Sequence, residues 1–305
     1  MSRRFLFVVA ACVVMLYFSI ILFMLNPLHS ARLGYPPIPY RNVPIVDWCK
    51  PLQRRSPPGD VVGLASFPGS GNTWLRYLLQ QATGILTGSV YLDPGLRMHG
   101  FPAENVTDGS VLVVKTHETL HTYRNSIFKS TIILIRNPRD AILAEYNRRH
   151  MGHIGTAPKS AFKKKIRRKE GDGIEKNKSK THKETEWERF VASQMTAWES
   201  WHKAWLAVFR GPIHIVFYEA LVKDTRRVLR DILNFINYNV TESALTCAIT
   251  HREGIYRRRK KLKDFDPFTD EMYVQLDIIK NRVLAVIAEY RNKHNDTGSR
   301  RRRRS

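Results

Sequence analysis

Short apolar runs, each closed by a cluster of polar residues, punctuate the chain between Val61 and Phe217. The first run, Val61, Val62, Leu64 and Ala65, predicts a buried strand, and Pro68–Thr73 a glycine-bearing turn. Leu75, Leu78 and Leu79 then recur at three- and four-residue spacing, which predicts a helix ending at Gly84. Val111–Val114 leads into Lys115-Thr116-His117, and Thr131–Ile135 into Arg136–Asp140 and a helical pattern through Arg148. Ile213–Phe217 leads into Tyr218-Glu219 and the amphipathic stretch Thr225–Asn237. Such alternation predicts an α/β three-layer sandwich, a central parallel sheet covered by helices on both faces. Ligands of these folds lie beyond the carboxyl ends of the strands, and every polar cluster falls at that edge. Within Glu184–Arg210, Trp187, Val191, Trp198, Trp201 and Trp205 keep helical spacing and are expected to pack the core.

The flanks read differently. Residues 5–25 hold no charge, follow Arg3 and Arg4, and as a helix would span roughly 31 Å, enough for a bilayer core. The run exceeds the ~7–15 apolar residues of a cleaved leader and no small-x-small site follows it. The expectation is a single transmembrane signal-anchor over 5–25, with residues 1–4 cytoplasmic and the remainder across the membrane. Eight prolines between Asn26 and Asp60 suit an extended stem over 26–60. The catalytic body is expected over 61–293, and a basic tail, with five arginines at Arg300–Arg304, over 294–305. Residues 159–183 hold eleven Lys/Arg against three acids, the pattern of a solvated insertion or of a flap that gathers an acidic substrate.

Composition narrows the partners. Fifty Lys+Arg against 27 Asp+Glu give a formal net charge of +23, which favours an anionic partner. Three cysteines supply neither a disulfide scaffold nor a zinc cluster, so no metal is expected. Cys12 falls in the apolar run, leaving Cys49 and Cys247 either to pair in a lumenal disulfide or to stay free. Sequons at Asn105, Asn177, Asn239 and Asn295 agree with a glycosylated, lumenal body.

The turn after the first strand is where chemistry is expected. Backbone N–H groups at a helix start form an anion site. A nucleoside triphosphatase would need G-x-x-x-x-G-K-[ST], yet Asn72-Thr73-Trp74 follows Gly71; a G-x-G-x-x-G dinucleotide fingerprint is absent too. Phe67-Pro68-Gly69-Ser70-Gly71-Asn72-Thr73-Trp74 instead resembles the 5′-phosphosulfate loop of sulfotransferases that use 3′-phosphoadenosine-5′-phosphosulfate (PAPS). Lys115-Thr116-His117 resembles their Lys-Thr-His, and Arg136-Asn137-Pro138-Arg139-Asp140 the opening of their 3′-phosphate site. Phe217-Tyr218-Glu219 with Lys223-Asp224 is similar to their Tyr-Glu-Asp segment, and Asp266-Pro267-Phe268-Thr269 to a turn after their last nucleotide loop.

The segments SFPGSGNTWLRYLL and IRNPRDAILAEYNRR most resemble the WSC-domain-containing (WSCD) family of membrane-anchored sulfotransferases, whose vertebrate members are assigned sialic acid O-sulfation. The cysteine-rich WSC module has no counterpart among three cysteines. The resemblance implies a P-loop-like sulfotransferase fold, PAPS as sulfuryl donor, and a Golgi-membrane, type II enzyme acting on a glycan hydroxyl, not on nucleic acid. His117 would be the base and Lys115 the cation on the sulfuryl group. Pro68, Gly69, Ser70, Gly71, Asn72, Thr73, Trp74, Arg136 and Tyr218 would hold the donor, Trp74 either stacking on adenine or buried under the helix. Arg257 and Arg258, in a basic run, would be 3′-phosphate ligands or part of a solvated face. Two departures stand out. Gly69 replaces a lysine that assists the leaving phosphate in many cytosolic members, a task left to Lys115, Arg76 or another residue. Ala144 replaces a 3′-phosphate serine, with Asn137, Arg139 or the surroundings of Glu145 as substitutes. The alternative is a catalytically silent member that binds acidic glycans or other polyanions.

Overall fold

The computed structural model describes residues 14–15, 46–119, 127–166, 184–256 and 265–302, with side chains through 293. The expected membrane span lies outside this set except for Val14 and Met15, as do residues 167–183, Asn177, Arg257 and Arg258. No helix among the described residues is long and apolar enough to cross a membrane.

Five strands form one parallel sheet: β1 (Val62–Ser66), β2 (Gly88–Ser89), β3 (Val114–Thr116), β4 (Ser130–Ile135) and β5 (Ile213–Phe217), in the spatial order β2-β3-β1-β4-β5. The central strand β1 faces β3 at Leu64↔Lys115 and β4 at Leu64↔Ile132. From β1 the chain passes to the edge strand β2, returns to β3 beside β1, and then crosses to β4 and β5 on the other side, so the direction of winding reverses at β1. Period-two burial divides the sheet between two cores. Leu64, Ile132, Leu134 and Val216 face α1 (Asn72–Thr83), α7 (Thr225–Phe235) and α8 (Glu242–Thr250). Ala65, Val114, Ile133 and Ile135 face α3 (Pro138–Met151), α5 (Glu186–Val208) and α9 (Asp270–Arg302). The expected three layers are present.

Boundaries moved where side-chain pattern and backbone pairing disagree. Val111–Val114 reads as a strand from its apolar run, yet β3 starts at Val114 and includes Lys115 and Thr116, because only there does the backbone meet β1. The edge strand β2 has two residues and no apolar run to announce it. Gly84 caps α1 in a left-handed conformation (φ 71°). Short helices α2 (Pro94–Met98), α4 (Lys159–Phe162) and α6 (Tyr218–Lys223) also occur among the described residues.

Two expected extensions belong in part to the body. The stem from Val46 onward lies against it: Gln53 bonds the backbone of Gly84 and Leu86, Arg55 and Gly59 bond Ser110 and Gly109, and Trp48 packs on Tyr77 at 5.5 Å. Cys49 and Cys247 are joined as a disulfide, Cα–Cα 6.0 Å, fixing this segment to α8. The basic insertion opens with structure too, since Phe162 is buried against Tyr146 and Trp187.

Ile133 is fully buried at the middle of the sheet. Ile133→Ala is expected to lower unfolding free energy by about 2–5 kcal/mol, read from the urea midpoint at unchanged m-value. A loss well under 1 kcal/mol would contradict a close-packed sheet face there.

Candidate active site

The loop between β1 and α1 is shaped by two glycines and a buried asparagine. Gly69 (φ 81°) and Gly71 (φ 94°) adopt left-handed backbone, which side chains disfavour. Space forbids side chains as well: a Cβ on Gly69 would lie 2.1 Å from the Ala141 carbonyl of α3, and one on Gly71 2.6 Å from the Tyr218 ring. Asn72 turns inward, its Nδ2 donating to the Leu64 carbonyl (2.9 Å) and to Ser66 Oγ (3.1 Å), which locks the helix start onto β1. No side chain caps α1. Ser70 is fully buried, with no partner for its Oγ among the described residues.

At the adjacent strand end, His117 is held from several sides. Its Nδ1–H donates to the Ser66 carbonyl (2.8 Å), with Ser66 Oγ at 3.3 Å. That bond assigns the tautomer and leaves the Nε2 lone pair available. The His117 N–H donates to Tyr91 Oη (3.0 Å), and the Tyr91 ring stacks at 5.9 Å. The tryptophan stripe of α5 does more than pack: Trp201 Nε1 donates to the His117 carbonyl (2.9 Å) and Trp205 Nε1 to that of Glu118 (3.1 Å). Burial, reinforced by the Lys115 charge, holds the imidazole pKa well below its usual value, so the ring is neutral at pH 7. Lys115 is itself buried, 5.8 Å from the Tyr91 ring centre. Burial, then repulsion from Arg76, lowers it to about 8, Glu104 and Asp93 opposing.

Across the loop, Arg136 Nη1 donates to the Gly69 carbonyl (2.9 Å) and its guanidinium lies 4.4 Å over Tyr218. Its buried Nε has no partner among the described residues. Tyr218 meets Trp74 edge-on at 5.6 Å, and Trp74 donates its Nε1–H to the Arg252 carbonyl (2.7 Å). Trp74 is therefore buried and lines the site at once. Glu219 accepts the Asn137 N–H (2.9 Å), joining the ends of β5 and β4.

These groups surround a cavity of about 130 Å³. Of the residues expected at the site, Gly69, Gly71, Asn72, Thr73, Trp74, Lys115, His117, Arg136 and Tyr218 line it, whereas Pro68 and Ser70 do not. The expected substitutes fare differently. Arg76 is fully buried and committed, Nη1 to Glu104 (2.5 Å) and Nε and Nη2 to Thr87 (3.0 and 2.9 Å), so it cannot serve the loop. Asn137 Oδ1 accepts the Arg139 N–H at the start of α3, and Arg139 turns to Asp266 (3.3 Å). Asn105 and Asn239 are exposed.

Three lining residues escaped the sequence reading: Arg148, His153 and Tyr256. Arg148 stands one turn beyond Ala144 on α3, a spacing that could have revealed it. Its Nε and Nη2 donate to the buried Glu145 carboxylate (2.6 and 2.7 Å). His153 Nε2 lies 2.7 Å from Asp93 Oδ2. Burial raises the Asp93 pKa, but His153 and the Leu96 N–H outweigh it and hold the carboxyl well below the usual range.

A glycine loop against a helix start, with a neutral imidazole and a buried cation at the next strand end, supplies the groups that a transfer from an anionic donor would need. Residues 59–262 match the family model for the sulfotransferase domain, so the chain is a sulfotransferase by family. A WSCD family member of Aedes aegypti is 43% identical over 240 residues, covering 79% of this chain and 70% of that protein. One from Drosophila melanogaster is 47% identical over 216 residues, 71% of this chain and 62% of that protein. Within the sulfotransferases, the chain belongs to the WSCD family. A crystal structure of a mouse sulfotransferase complexed with PAP aligns at TM-score 0.47 and 14% identity, covering 79% of this chain and 89% of that one.

Gly69→Ala is expected to displace the loop from α3 and to weaken binding of adenosine 3′,5′-bisphosphate at least about tenfold by calorimetry, since the strain and the clash act together. Unaltered affinity would show that the loop does not hold the nucleotide.

Proposed function

We propose that the protein moves a sulfuryl group from PAPS to a hydroxyl of a glycan acceptor, with His117 as general base. The observation that carries this is the His117 Nδ1–H bond to the Ser66 carbonyl, which keeps Nε2 able to accept a proton beside Lys115. A sugar hydroxyl is a poor nucleophile near neutrality, and loss of its proton to Nε2 during attack lowers that barrier. PAPS supplies an activated sulfuryl group on a phosphate leaving group. The chain's donors fit such a ligand: the uncapped N–H groups at the loop and helix start, and Arg136, whose Nε has no partner among the described residues. Backbone N–H groups of Gly69–Thr73, with Ser70 and Thr73, take the 5′-phosphosulfate, and Arg136 takes the 3′-phosphate. Tyr218 and Trp74 border the adenine, and Arg257 and Arg258 add 3′-phosphate contacts. Lys115 places its charge on the sulfuryl oxygens, where charge gathers during transfer.

For the acceptor, the net charge of +23 favours an acidic glycan, sialic acid among them. The Cys49–Cys247 disulfide and the exposed sequons Asn105 and Asn239 support an oxidising, lumenal setting, in keeping with a type II anchor over residues 5–25 in the Golgi membrane.

Incubation with labelled PAPS and a glycan panel, with and without terminal sialic acid, tests this reading. His117→Ala is expected to cut transfer by about 10²–10⁴-fold while leaving nucleotide affinity in place. Transfer that survives His117→Ala unchanged removes the base, and absence of both transfer and nucleotide binding returns the chain to a polyanion binder. The pH profile follows from the same two groups. Activity needs His117 neutral and Lys115 charged, so kcat/KM should stay level down through pH 6.5 and fall as pH rises past about 8. An acid limb centred at or above pH 6.5 would contradict the assignment to His117.

A further inference from the structure

The donor loop cannot carry a cation of its own at position 69. Its backbone there is left-handed, and the Ala141 carbonyl and Glu145 nitrogen of α3 lie 2.1 and 2.9 Å from where a Cβ would stand. The helix that fills this space offers a replacement. Ala141, Ala144 and Arg148 follow at spacings of three and four, so they share one face of α3. Ala144 lines the cavity with a methyl group, and Arg148 lines it beside Lys115 and His117. Glu145, buried and held also by Arg149 (2.8 Å), fixes the Arg148 guanidinium through two bonds. Arg136, which also lines the cavity, is tied to the Gly69 carbonyl and Tyr218 at the opposite side of the loop.

We propose that Arg148 is a catalytic residue of the transfer, a cation on the sulfuryl oxygens and the leaving phosphate oxygen that does the work the loop cannot. This rests on the transferase reading. In the step, the acceptor oxygen forms a bond to sulfur and the bond from sulfur to the bridging oxygen breaks. The electron pair of that bond goes to the phosphate, and the hydroxyl proton goes to His117 Nε2. Negative charge therefore builds on the bridging oxygen, where a preorganised cation has its largest effect. A guanidinium keeps its charge at every working pH, while Lys115 loses its own as pH passes about 8.

Arg148→Met and Arg148→Lys in the full chain test this, because Arg149 keeps Glu145 paired when Arg148 is gone. Three quantities are read: acceptor-independent cleavage of PAPS to PAP in water, kcat for transfer, and PAP affinity by calorimetry. Arg148→Met should lower cleavage and kcat together by about 10²–10³-fold and leave PAP affinity nearly unchanged, with Arg148→Lys recovering part of both rates. If PAPS cleavage is untouched and the loss sits in acceptor KM, Arg148 grips the acceptor instead and the proposal is overturned. Loss of PAP affinity with a lowered melting temperature assigns Arg148 to the scaffold and overturns it as well. A wild-type chain that binds PAP but neither cleaves PAPS nor transfers sulfate fails earlier, at the transferase reading, and takes this proposal with it.

Discussion

The molecule depends on the parallel pairing of β1 with β3 on one side and β4 on the other. Parallel strands deliver all their carboxyl ends to one edge, and the helices on both faces prevent any other exit. The glycine loop follows β1, Lys115 lies in β3 with His117 just after it, and Arg136 follows β4, so the ladder places them within one cavity wall. A side chain reaches across each junction. Asn72 ties the helix start to β1, Ser66 holds His117, Arg136 holds Gly69, and Glu219 holds Asn137.

Polar bonds inside this edge spend the groups that would otherwise compete for ligand and leave others exposed to it. The Ser66 carbonyl consumes the Nδ1–H of His117, and burial keeps the ring neutral. Lys115 is charged yet close to losing its proton, because it shares a buried region with the Arg76–Glu104 pair. Burying two cations this close costs free energy unless an anion arrives, and Glu104 supplies only part of that compensation.

Much of the fold was legible because strand and helix periods differ and each strand ended in a distinct polar cluster. β4 and β5 matched their apolar runs closely, and the helix after β1 ended at Gly84 as its pattern requires. β2 was not legible, since two small residues carry no period. Residues 46–60 read as stem because proline content reports local stiffness and says nothing of the backbone bonds they make to distant loops. The site divided along the same line. Contiguous motifs named the loop, Lys115, His117, Arg136 and Tyr218; Arg148 lies near the end of the IRNPRDAILAEYNRR segment but reaches the cavity only through the turn of α3, and His153 and Tyr256 come from segments with no motif of their own.

The sequence by itself determined a parallel α/β sandwich, a glycine-bearing loop at the first helix and a histidine–lysine pair at a strand end. Each of these is written in local spacing and residue type. Only the tertiary structure decided that Arg76 is buried and committed, that Trp201 and Trp205 hold the His117 segment, and that Gly69 is pressed against Ala141. Those outcomes come from packing between elements far apart in the chain, where one backbone occupies the space another side chain would need.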